Sequence, residues 1–159
     1  MTSPTDQERP SLRMMNVQMT ERLLTTPPAP APDRGTALRV LQTTGRRSGN
    51  SRRTPIGVLH HNGAQYLVCP DRSRDWPQNL LSEPHCQILA GGHEQHHRAV
   101  PVDGEDAVGG IEAYLIAVEV PWARKAFGFG DQIDRSEIRA ALPRMAIFQL
   151  VSARVDVLA

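Results

Sequence analysis

Apolar residues at Leu12, Met15, Met19 and Leu23 recur at spacings of three and four, which predicts a helix over residues 11–24 with those four on one face. Proline then occurs at Pro27, Pro28, Pro30 and Pro32. Proline lacks a backbone donor and disfavours helix in the residue before it, so residues 25–34 read as a stiff extended linker. Short apolar runs at 37–41, 54–60, 65–69, 86–90, 96–102 and 148–151 read as strands, and 155–158 as a further closing strand. His61-Asn62-Gly63 carries the Asn-Gly hairpin signal between the second and third of these. Helical stretches are predicted at 75–82, with Asp75 as N-cap and Pro77 in the first turn, at 105–118 and at 135–142. Clustered, hairpin-linked strands favour an α+β, mainly β fold: six or seven mostly antiparallel strands with flanking helices, and a small barrel would protect the edges. The pattern divides the chain into an arm over residues 1–34, helix plus linker, and a compact domain over 35–159.

Charge changes the picture at one place. The 159 residues carry a formal net charge of +1, which argues against a general nucleic-acid binder. Yet Thr44 to Pro55 reads T-G-R-R-S-G-N-S-R-R-T-P and packs Arg46, Arg47, Arg52 and Arg53 around Ser48-Gly49-Asn50. A glycine-containing turn bares backbone N–H groups, and guanidinium forks match phosphate or carboxylate geometry. An anion clamp and a solvated turn both fit that composition. The Walker spacing is missing. A single-stranded nucleic-acid site would need interleaved aromatics that the run lacks.

The remaining chemistry is sparse. Cys69 and Cys86 are the only cysteines, too few for a disulfide framework, so a reduced cytoplasmic setting is expected. Cys69 reads either as a buried inert thiol or as a residue near a bound ring. His93 and His97 share a strand face while His96 points opposite, which gives no zinc-type spacing and no expected metal. Met14, Met15 and Met19 suit packing on a core or a second copy, so monomer and homodimer both stay open. Weak peripheral membrane contact through the same helix is the other reading, without the lysine-rich face of a strong binder. Phe127-Gly128-Phe129-Gly130 reads as an apolar lip, a substrate lid or a plain loop.

The run T-T-G-R-R-S-G-N-S-R-R-T-P-I-G, followed by a hairpin and D-W-P-Q-N-L-L-S-E-P, resembles the deazaflavin-dependent nitroreductase family over residues 38–106. The resemblance implies a split β-barrel and a deazaflavin cofactor, coenzyme F-420, with an anionic arm; flavin mononucleotide is the alternative. It implies that Arg47, Ser48 and Arg52, with Arg46 beside them, sit on the phosphate side. Pro55, Gly57 and Val58 match the strand beside the ring. Trp76, with Asp75, matches the aromatic position near the deazaflavin, and Asn79 a position that is structural or in contact. The cofactor carries the hydride chemistry, so no catalytic nucleophile is expected.

Two departures narrow the expectation. Family members carry a small hydroxyl residue and a lysine where this chain has Cys69-Pro70-Asp71-Arg72; Arg72 or Arg74 is the expected substitute cation. No tyrosine follows Tyr114, and Trp122, Phe127 and Phe129 occupy the late stretch. The expected activity is therefore reduction of a small electron acceptor such as a quinone, an enone or a nitroaromatic. The rival expectation is a non-catalytic split-barrel protein holding a lipid, a fatty acid or a flavin-like ligand.

Overall fold

The computed structural model of the protein describes residues 12–118, 125–129 and 133–153. Among them six strands close into an antiparallel barrel in the order β1-β2-β3-β6-β5-β4. They are β1 (Gly35–Thr44), β2 (Ser51–His61), β3 (Ala64–Cys69), β4 (His85–Ala90), β5 (His93–Pro101) and β6 (Ala146–Ser152). Around them lie α1 (Leu12–Thr25), α2 (Asp75–Ser82), α3 (Gly104–Ala117) and α4 (Arg135–Ala141), the last running into a 3-10 turn over Leu142–Arg144. The expected strand at 155–158 lies outside the described residues.

The strands read as continuous apolar runs because both faces of the barrel wall are covered. Side chains alternate across a strand. Val58, Leu67 and Phe148 point inward and pack with Leu41 and Leu80. Their neighbours Leu59, Val68 and Ile147 point outward, beneath Val108, Ile111 and Leu115 of α3 and Ile138 of α4. The helix and the wall meet closely at Gly110, where a Cβ would lie 2.6 Å from Ile147 Cδ1. Arg139 holds Glu105 through two hydrogen bonds of 2.7 and 3.0 Å, tying α4 to α3 on the surface.

β1 and β2 run further than the apolar pattern suggests. Their register continues past the core, from Gly35 opposite His60 to Thr44 opposite Ser51. The hairpin thus lifts the arginine turn beyond the barrel wall. The Asn-Gly hairpin forms as expected, with φ of 51° at Asn62 and 74° at Gly63, as a type I′ turn requires.

α1 departs from its pattern. Met14, Met15 and Met19 are exposed, and the buried side chain is Thr20. The helix turns Arg13, Asn16, Thr20 and Glu21, together with Val17 and Leu24, toward the arginine turn. The last turn of α1 and the linker behind it are both anchored: Gly91 N–H donates to the Leu23 carbonyl at 2.9 Å, and Arg39 Nη2 donates to the Ala29 carbonyl at 2.8 Å.

Candidate functional site

The turn between β1 and β2 is built by short bonds. Gly45 N–H donates to the Asn50 carbonyl at 2.7 Å, and Gly49 N–H to the Gly45 carbonyl at 2.8 Å. Gly45 has no room for a side chain, since a Cβ there would lie 2.9 Å from Ser48 Oγ. Ser48 Oγ accepts from Asn50 N–H at 3.1 Å, which leaves its own hydrogen free to donate. The amides of Arg47 and Ser48 make no hydrogen bond among the described residues. Two open amides therefore crown the turn, the arrangement that accepts an anion.

α2 pins this turn to the barrel. It closes one barrel end with Leu80 and Trp76, whose ring stands 6.1 Å from that of Phe148. Asp75 is the first residue of α2, and Arg74 is its N-cap, which corrects the expected cap. The Asp75 carboxylate instead meets the Arg46 guanidinium at 3.3 Å. Asn79, 2% exposed, accepts from both the Arg46 amide, at 3.2 Å, and its guanidinium, at 2.9 Å. Its Nδ2 donates to Thr43 Oγ1 at 3.3 Å. Arg53 is occupied as well, donating to Gln42 at 2.8 Å. The side chains of Arg47 and Arg52 have no hydrogen-bond or ion-pair partner among the described residues.

A cavity of about 1000 Å³ opens between the turn, α2 and α1. Arg13, Arg46, Arg47, Arg52 and Arg53 line it against only Glu21 and Asp75, a formal excess of three positive charges. Trp76 supplies an aromatic surface in the same wall while remaining 8% exposed. Such a space suits a ligand with a planar end and an anionic arm.

A family model for F420H(2)-dependent quinone reductase matches residues 15–115, from α1 through the first five strands into α3. The chain belongs to that family. Among solved structures, the reductase is similar to one described as F420-H2 dependent reductase (FDR-A), at 19% identity and a TM-score of 0.51, over 72% of this chain and 93% of that one. It is similar to a chain solved as a domain-swapped dimer, at 19% identity and a TM-score of 0.52, over 87% and 92%. A conserved hypothetical protein of Mycobacterium tuberculosis matches at 17% identity and a TM-score of 0.51, over 74% and 73%. At these identities the likeness establishes the fold. No curated protein sequence matches.

The reductase gathers Arg46, Arg47, Ser48, Arg52, Asp75 and Trp76 at this cavity. It does not bring Val58 or Cys69 there: both are buried in the barrel interior, Val58 by the strand alternation. Burial raises the Cys69 thiol above its usual range, and its hydrogen bond to the Asp71 carbonyl pulls the other way. Pro55 and Gly57 lie on the opposite face of β2 from Val58, outside the cavity lining. Asp71 is no intruder in the cation site. Its carboxylate folds back onto Ser73 at 2.6 and 2.9 Å, and Arg72 reaches the Pro143 carbonyl, so neither Arg72 nor Arg74 lines the cavity.

The apolar lip is packed rather than open. Phe127 is buried against Tyr114 at 5.5 Å, and its carbonyl accepts from Arg144 at 2.6 Å. Trp122 and Gly130 lie outside the described residues. His96 and His97 point to opposite faces of β5: His96 meets His85 across the β4–β5 hairpin at 3.2 Å, while His97 is buried. Among the described residues no cluster of three or more metal-binding side chains forms.

Sequence reasoning missed the wall contributed by α1. Arg13, Asn16, Thr20 and Leu24 face the cavity at spacings of three and four, a helical stripe visible in the sequence beside the more apolar one.

Proposed function

We propose that this protein is a reductase that binds reduced coenzyme F-420 and delivers a hydride to a small electrophile, with quinones as the leading acceptor class. The observation that carries this reading is the cavity where two unengaged arginines, two open amides and the Trp76 indole meet. When bound, the deazaflavin supplies the hydride chemistry. The chain's residues bind, orient and shelter. Arg47 and Arg52 hold the anionic arm through charge-assisted bonds, and Ser48 adds its hydroxyl and amide. Trp76 would present the ring with an apolar surface backed by the barrel core, which would exclude water from one side.

The departure at Asp71, which favoured a non-catalytic binding module, lies away from the cavity and does not disturb it. Cys69 and Cys86 are both free and buried, in keeping with a reducing compartment. No described helix is long and apolar enough to cross a membrane.

Replacing Arg47 and Arg52 together with alanine tests the clamp. Each charge-assisted bond is worth about 1.5–3 kcal/mol, so cofactor affinity falls by more than about tenfold per arginine. Unchanged titration curves defeat the assignment. Reduced cofactor mixed with menadione and substoichiometric protein is oxidised steadily if the chain is a reductase. Binding without turnover leaves only the ligand-holding role.

A further inference from the structure

Asn79 lies in the cavity wall, yet its amide faces the protein rather than the open space. Its oxygen accepts twice from Arg46, once from backbone and once from side chain, and its nitrogen donates to Thr43 at the end of β1. Asp75, one helical turn earlier, takes the same guanidinium from the other side. Arg46 is thus drawn against α2, with both its charge and its amide engaged. The next two amides, those of Arg47 and Ser48, remain open. The backbone passes from a pinned residue to the bare crown within one step.

Resting on the function proposed above, we infer that Asn79, seconded by Asp75, is a positioning residue: by holding Arg46 to α2 it pre-forms the anion-binding turn without touching the ligand. The four arginines then divide by role. Arg46 is part of the brace, and Arg53 is tied to Gln42. Arg47 and Arg52 are left for the anion. A turn held in its binding shape before the ligand arrives avoids the ordering cost that a loose turn would meet on binding. Asn79 is suited to this because a buried amide with partners at both ends is hard to move. Releasing it would strand its own polar atoms and the Arg46 N–H. Asp75 is largely exposed, so its ion pair is the weaker half of the brace.

The test uses the full chain with Asn79→Ala, Asn79→Asp and Thr43→Val, and two ligands: coenzyme F-420 and a 5-deazaflavin lacking the phosphate arm. Asn79→Ala raises the Kd for F-420 by about tenfold or more, leaves the arm-less ligand within about twofold, and leaves kcat at saturating cofactor within about twofold. Asn79→Asp, which keeps the acceptor oxygens, restores affinity to within about threefold of the parent. Thr43→Val, which strands Asn79 Nδ2 but leaves the Arg46 contacts in place, weakens F-420 by less than Asn79→Ala does. In ligand-free protein, hydrogen exchange at the Arg46 and Gly49 amides quickens in Asn79→Ala. The inference is overturned if Asn79→Ala weakens both ligands alike, which marks a general packing defect, or if it leaves F-420 affinity unchanged. Should the parent protein bind no F-420, the proposed function fails. Exchange then decides the brace alone, and equal rates at those two amides in parent and variant refute it.

Discussion

Gly91 fixes the position of α1, and therefore the outer wall of the cavity. It sits in the β4–β5 turn at φ 50°, in the left-handed region, against the proline-rich linker. A methyl group there would lie 2.6 Å from Pro28 Cδ and 2.7 Å from the Thr26 carbonyl oxygen. Its neighbour Gly92, at φ 85°, has nothing within 4 Å of the same built atom. The two alanine variants thus share a backbone penalty and differ in the clash. The left-handed conformation costs an L-residue about 1–2 kcal/mol, so Gly92→Ala loses roughly that much stability. Gly91→Ala loses a similar amount and must also push the linker away. That breaks the bond from Gly91 N–H to the Leu23 carbonyl, which contributes about 0.5–1.5 kcal/mol net. The larger consequence is functional, since α1 supplies six of the seventeen residues lining the cavity.

Trypsin reads the displacement directly. Arg22 closes α1 and Arg34 ends the linker, so cleavage after either reports release of the arm. Gly91→Ala is cut faster than the parent at both sites and binds F-420 more weakly. Gly92→Ala shows a lower urea midpoint with near-parental cleavage and affinity. Equal cleavage rates and equal affinities in the two variants would refute the claim that Gly91 holds the arm in place.

Three other outcomes follow from the same geometry. Cys86 is buried in the barrel, and burial pushes its thiol up to about 12, so neither it nor Cys69 reacts with a thiol reagent until urea unfolds the chain. His97 is held below the ordinary histidine value of 6.5, by burial first and neighbouring His96 second, and its folded state favours the neutral ring. The stability this contributes is present above pH 6.5 and is lost as pH falls through the lower folded value; His97→Gln flattens that limb of the urea-midpoint profile, although His60, shifted the same way by burial, keeps part of it. Salt separates charge from shape: Arg47→Ala lowers the dependence of F-420 affinity on ionic strength, because it removes an unpaired cation. Asn79→Ala weakens affinity with the parental salt slope, because the Arg46 charge it frees is still balanced by Asp75.

Much of the barrel was legible because its wall is covered on both sides. Runs such as Tyr66-Leu67-Val68-Cys69 and Ile147-Phe148-Gln149-Leu150 are apolar nearly throughout, and the Asn62-Gly63 pair fixed a turn locally. Strand ends were less visible. Ser51, Arg52 and Arg53 continue β2 only because β1 runs opposite them, a partner the local sequence does not announce. The cavity-facing side of α1 was less visible for a related reason. Methionine spacing marks the more apolar side of α1, whereas the side that lines the cavity mixes Arg13, Asn16, Thr20 and Glu21 with Val17 and Leu24. Resemblance located the turn and α2, but it could not separate a residue facing the cavity from one facing the core. Val58 matches the motif and points inward, and Cys69, singled out by its place at a strand end, points inward as well.

The arginine turn shows why counting cations in a sequence overstates an anion site. Four guanidinium groups within eight residues look like four potential ligands. Two of them meet partners that lie eleven to thirty-three residues away. Arg46 is neutralised by Asp75 at 3.3 Å, so at longer range the pair acts more as a dipole than as a charge. On the proposed reading its contribution to affinity is to shape, and Arg47 and Arg52 carry the local field. Arg13, supplied from α1 on the far wall, adds a cation that no reading of the turn alone would include. On the proposed reading, anion binding in the cavity thus depends on the docking of α1 as much as on the turn. A defect at Gly91, remote in sequence from every arginine of the turn, is expected to weaken the same ligand contacts as a defect in the turn itself.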